Sequence, residues 1–272
     1  MRISRSYGKM NLLNSLSITN KLIFANVLLF IFSWFVIGFY TPEYFIKTFA
    51  LTPSLILSGQ ALWTFFTSMF FHGGFFHLFA NMFSLFFIGN FLEKLVGSKR
   101  FLSIYLTAGL VGGVFFVLSG LIFGKLDIPG IGASGAIFGI LGVLAVLVPY
   151  SKIYLIVGPL ILIVANVILS PILPAEFASI FNLIINILIF VMIFSLFSFN
   201  PSLRRLAVPL ELPMWVLPIV AIIPLMIIGQ FYQSLPIGNS AHIGGLVIGL
   251  AYGFYLKKKF PNKTKKISKH FS

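Results

Sequence analysis

The chain has 272 residues, of which 59% are hydrophobic and only 9% charged, with a mean hydropathy of +1.06. Soluble domains carry roughly a quarter charged residues, so this composition excludes one and describes an all-α protein that crosses a membrane several times. The formal charge of +14 is not a nucleic-acid footprint, because its lysines and arginines sit in short clusters between apolar runs and in the tails; the lack of cysteine excludes disulfides and a thiol nucleophile.

In chain order, residues 1–20 form a basic segment (Arg2, Arg5, Lys9) without a clear small-residue cleavage site, so the first span, Leu22 to Tyr40, is expected to stay uncleaved. Thr41 to Phe76 is too apolar for a solvated loop and is placed at the bilayer interface. The second span runs from His77 to Leu95 and ends in Glu93-Lys94 and the turn Gly97-Ser98-Lys99-Arg100. The third runs from Phe101 to Phe123, and the fourth from Ser134 to Pro149.

Two further runs, Ile153 to Leu169 and Phe177 to Phe197, are separated by Pro171 and Pro174. Pro213 to Phe231 and His242 to Leu256 follow, and the basic tail 258–272 closes the chain. Each crossing needs roughly 20 apolar residues for ~30 Å of hydrocarbon, and this path makes about eight. With the N-terminus cytoplasmic, the inner segments collect nearly all the basic residues and the outer ones hold only Lys47 and Lys125. Both termini are then cytoplasmic, while Ser134 and His242 stand at the extracytoplasmic ends of their spans.

Span four is short: from Ser134 to Pro149 it covers about 24 Å at ~1.5 Å per residue, so its upper end stops below the outer surface. Gly132-Ala133-Ser134-Gly135 therefore places a hydroxyl among small residues at a helix mouth, where unpaired N–H groups face any developing negative charge. Gly135, Gly139 and Gly142 also suit plain helix packing, as do Gly245, Gly249 and Gly253 of the last span. His77 and Asn81, four residues apart, share one helix face. His72, His77 and His242 all map to the depth of Ser134, whereas His270 lies in the tail. The five acidic residues are poorly placed for a triad, so the parts present are a hydroxyl nucleophile, an imidazole base and oxyanion donors from the Ser134 N–H, His77 and Asn81.

These residues resemble the rhomboid family. Gly132-Ala133-Ser134-Gly135 matches its GxSG motif, and His72, His77 and Asn81 its second-helix pattern. Ala241-His242-Ile243-Gly244-Gly245 with Gly249 matches its last-helix AHxxG pattern. The resemblance covers residues 21 to about 150 and about 200 to 257. It implies a six-helix membrane domain over 21–257, here with an extra transmembrane hairpin inserted at about 151–199. It also implies an intramembrane serine protease that needs no cofactor or metal and whose partners are the bilayer and transmembrane protein substrates. By that resemblance Ser134 attacks, His242 shuttles the proton, His77 and Asn81 hold the oxyanion, His72 braces the first loop, and Gly132, Gly135 and Gly245 shape the site. Trp63 is followed by Thr64, where the family often has arginine. The rival readings are a catalytically inactive rhomboid-fold protein that binds membrane clients, and a transporter using the three histidines. The latter lacks an HExxH helix, a nearby intramembrane carboxylate and a detectable inverted repeat.

Overall fold

Helix α1 (Ile18–Phe39) starts where the Ser17 hydroxyl accepts the Asn20 N–H and the Glu93 carboxylate accepts the N–H groups of Ile18 and Thr19. A carboxylate at a helix N-terminus satisfies orphan donors and meets the positive end of the dipole. The computed structural model describes residues 16–195, 198, 200–231 and 238–271, so Arg2, Arg5 and Lys9 lie outside the described residues.

The apolar first loop is folded rather than open. It holds α2 (Pro42–Phe49), α3 (Pro53–Leu57) and α4 (Thr64–Thr67), the first two opened by Thr-Pro steps that set proline in the first turn. Leu51 and Gly130 exchange both backbone hydrogen bonds at 2.9 Å, and the Gly132 N–H donates to the Ser68 carbonyl at 2.8 Å. The Trp63 indole N–H reaches the Thr48 carbonyl at 2.8 Å, so the loop is anchored although Thr64 follows it.

The second span is continuous from Phe75 to Val96, built from α5 (Phe75–Ser84), a π-helical turn (Leu85–Gly89) and α6 (Asn90–Val96). At its foot Glu93 also accepts the hydroxyls of Thr19 (2.7 Å) and Ser98 (2.6 Å), joining three helix ends. Gly97, at φ +86°, turns the chain into α7 (Ser98–Ile122).

At the centre stands α8 (Ser134–Leu147), buried along almost its whole length against α7 and α13 (Asn239–Lys259). Backbone meets backbone at this crossing. A Cβ at Gly245 would overlap the Gly135 carbonyl, one at Gly249 the Gly139 carbonyl, and one at Gly142 would lie 2.7 Å from the Leu246 oxygen. Small residues at helical spacing permit that approach, as membrane helices without a hydrophobic drive between them require.

Between α8 and α13 the chain departs from the sequence expectation. The run Ile153 to Leu169 is not one crossing helix: it divides into β1 (Lys152–Ile156) and the 13-residue α9 (Val157–Leu169). Pro159 explains the boundary, since a proline fits readily in a helix's first turn, whereas deeper in a helix its ring would clash with the carbonyl four residues earlier. Thirteen residues reach only about 20 Å at ~1.5 Å each. Helix α10 (Ala175–Ser195) packs on α9 and is otherwise exposed, as a lipid-facing helix is.

After α11 (Pro201–Arg204) the chain returns as β2 (Pro209–Pro213), antiparallel to β1, with Lys152 opposite Pro213 and Ile156 opposite Pro209. Thus the hairpin closes on a two-stranded ribbon. The run from Pro213 becomes helical only at α12 (Leu217–Phe231), after a short 3₁₀ turn. Within the segment expected to be a basic cytoplasmic tail, residues Pro261–His270 form α14. Ile267 and Phe271 pack against the core, and Phe271 meets Phe91 edge-on at 5.2 Å. Among the described residues four helices are long and apolar enough to cross a membrane, with three shorter apolar ones beside them, so the protein is a multi-pass, all-α membrane protein.

Candidate active site

Ser134 is the first residue of α8, and His242 lies in the first turn of α13. Because the glycine crossing brings those two helix ends together, Ser134 Oγ lies 2.7 Å from His242 Nε2 across 108 residues of chain. His242 is buried, and its ring stacks on Phe138 with centroids 4.7 Å apart and planes 22° apart. Phe138 sits one turn along from Ser134 and therefore on the same helix face. Its ring fixes the plane of the imidazole while the helix crossing fixes its position. With the proton on Nδ1, Nε2 is free to accept the serine proton. Nδ1 is buried without a hydrogen-bond partner among the described residues, so no carboxylate orients this histidine.

The other sequence-selected residues converge on the same place. Gly132 has φ +132°, a backbone region that favours glycine, and a Cβ there would lie 2.7 Å from His77 Nε2. The loop preceding Ser134 thus lies against the Nε2 edge of the His77 ring. Asn81 stands one turn below His77, and its Nδ2 is buried without a partner among the described residues, 3.6 Å from the same Cβ position. An unpaired buried donor is costly, and a site that receives an anion from its ligand would repay it. The first N–H groups of α8 are likewise free of intrahelical partners.

His72 belongs to the first loop, just before the second span, and is buried with its ring edge-on to His77 at 5.0 Å between centroids. Burial, and then the neighbouring His77, push its imidazole down to about 3, so it is neutral at ordinary pH. Gly135 and Gly245 are the contact that sets the separation of the two helix mouths. Among the described residues, no three of His, Asp and Glu cluster as metal donors. Two contributors escaped the sequence reading. Phe138 could have been found from its four-residue offset from Ser134, whereas the Ser68 carbonyl that holds Gly132 carries no sequence signal.

The site opens into a cavity of about 1210 Å³ that also reaches Phe83 and Phe87 of the second span and Leu217, Ala221 and Leu225 of α12. A hydroxyl bonded to an imidazole base, with N–H donors converging on one side, can perform acyl transfer.

The chain matches the Rhomboid domain family over residues 59–181 and 185–259. It is 44% identical to the "Rhomboid protease GluP" of Bacillus subtilis over 92 residues, which are 34% of this chain and 17% of that protein. Against "Rhomboid protein 1, mitochondrial" of Saccharomyces cerevisiae it is 38% identical over 94 residues, 34% of this chain and 27% of the other. It is also 35% identical over 92 residues to the "Inactive RHOMBOID-like protein 8" of Arabidopsis thaliana, 34% of this chain and 25% of that one. In each case the shared segment spans only about a quarter or less of the relative's length.

Proposed function

Since the chain belongs to the rhomboid family, we propose that it is an intramembrane serine endopeptidase that cuts transmembrane proteins through a Ser134–His242 dyad. The observation that carries this reading is the 2.7 Å bond between Ser134 Oγ and His242 Nε2 at the mouth of α8. Two unpartnered donor positions beside it, Asn81 Nδ2 and the first N–H groups of the helix, support it.

In the first half-reaction His242 Nε2 takes the proton as Ser134 Oγ bonds to the scissile carbonyl carbon. The oxyanion is held by the Ser134 N–H, His77 and Asn81. Nε2 then gives the proton to the departing amine, and the C–N bond breaks to leave an ester on Ser134. In the second half-reaction water adds to that ester with Nε2 again as base, releasing the acid and restoring the serine. Gly132 keeps the loop thin beside His77, and His72 packs edge-on against that ring. The active site opens to the extracytoplasmic side and both termini are cytoplasmic, as the distribution of basic residues supports.

The similarity to an inactive relative gives the alternative, a protein that binds membrane clients without cutting them. Reconstitution with a single-span substrate separates the two. Wild type should release two fragments and the Ser134→Ala protein none; equal behaviour of both would leave the binding reading.

A further inference from the structure

The cavity holding Ser134 and His242 does not end below them. It continues past Leu141 of α8 and is lined by β1 from Ile153 to Ile156, the apolar Ile153 and Leu155 together with Tyr154 and Ile156. The ribbon is clamped to the end of α8 opposite Ser134: the Met214 N–H donates to the Ser151 carbonyl at 2.9 Å and the Trp215 N–H to the Pro149 carbonyl at 3.2 Å.

Its residues alternate in character, and directly opposed residues of an antiparallel pair share a face. Ile153 and Leu155 face the same way as their partners Leu212 and Leu210, and Ile153 and Leu155 pack against the apolar core. Lys152, Tyr154 and Glu211 occupy the other face, where Lys152 Nζ lies 2.6 Å from a Glu211 carboxylate oxygen and both side chains are exposed. That contact holds the Glu211 carboxyl below its usual range. A ribbon with an apolar face toward the core, an ion-paired face toward water and two unpaired strand edges belongs at a membrane boundary, not in hydrocarbon.

We infer that this ribbon is a floor under the active-site cavity, against which the uncut stem of a transmembrane substrate ends, so that it selects substrates by stem length. The inference rests on the protease reading. Its occupant follows from continuity: the same cavity joins the dyad to the ribbon, and an apolar helical stem leaving Ser134 has the ribbon's apolar face ahead of it. Its length follows from α8, whose 14 residues separate the two ends by about 20 Å. A helical stem of about 13 residues fills that height, whereas a full bilayer takes roughly 20. A polar residue placed just after such a stem would emerge beside Lys152 and Glu211.

The test uses the full-length protein in vesicles. Its single-span substrates carry apolar stems of about 9, 13, 17 and 21 residues between cut site and a Lys-Lys pair. The floor predicts a maximum in kcat/KM at the stem of about 13, roughly tenfold above that of about 21. The Leu155→Glu protein, with a carboxylate on the apolar face, should raise KM for the favoured stem with little change in kcat. Labelling of Ser134 by a fluorophosphonate checks that its dyad is assembled, and if that variant does not fold, the wild-type profile decides alone. A flat profile, or one rising to the longest stem, overturns the floor and leaves lipid or a second copy as the occupant. Cleavage of no substrate, together with no Ser134 labelling, removes the protease reading and the floor with it.

Discussion

Replacing Gly245 with alanine tests the claim that a helix crossing assembles the site. The added Cβ would overlap the Gly135 carbonyl oxygen, a backbone atom that cannot rotate away. Relief requires α8 and α13 to separate by on the order of 1 Å to restore ordinary contact distances. The Ser134–His242 bond, now 2.7 Å, would then lengthen beyond hydrogen-bonding range, since Ser134 directly precedes Gly135 on one helix and His242 stands about one turn before Gly245 on the other. A displacement of about 1 Å at reacting groups costs about 10²-fold in rate, and overpacking of this kind about 1–3 kcal/mol in stability. The assay is the rate of fluorophosphonate labelling of Ser134 in detergent, read beside the thermal midpoint. Gly38→Ala is the control, because a Cβ there meets nothing within 4 Å. Wild-type labelling by the Gly245→Ala protein would refute the reasoning that the glycine contact sets the dyad distance.

Phe138→Ala removes the ring stacked on His242 and should slow turnover about tenfold or less, the scale of an aromatic contact, with KM nearly unchanged in steady-state cleavage. His72, held down at about 3 against 6.5 for a free imidazole, takes its proton more readily when unfolded. Its stabilising contribution is therefore complete above about pH 6.5 and is lost as pH falls toward 3, so His72→Gln should flatten the acid limb of a thermal-stability profile in that window. Glu93→Ala strands the donors of Ile18, Thr19 and Ser98 and should lower stability by about 2–3 kcal/mol in denaturant titration. The dyad lies at the other end of the bundle, so labelling of the folded fraction should not change.

Much of this architecture could be read from the residues because membrane spans leave strong marks. Long apolar runs gave α1, the second span and α7, and glycines at helical spacing in α8 and α13 anticipated a close crossing. The i, i+4 spacing of His77 and Asn81 put both on one face of α5. The ribbon was illegible because Ile153 to Leu169 is apolar throughout, so a five-residue strand and a short helix read as one span; Pro159 alone marks the break. Strand pairing is non-local, and β1 finds its partner only after the whole hairpin. In α14 the density of lysines hid the apolar spacing of Ile267 and Phe271 that docks it. Phe138 was visible as an aromatic one turn from Ser134, but its stacking depends on how α8 and α13 are rotated, which no local pattern encodes.

The most direct measurement of the central claim is the rate and position of fluorophosphonate adduct formation, followed by intact mass and peptide mapping, in wild-type and His242→Ala proteins. An acyl-transfer dyad predicts a single adduct on Ser134 that forms about 10²–10⁴-fold more slowly when the base is removed. An adduct elsewhere, none at all, or equal rates in the two proteins would contradict it.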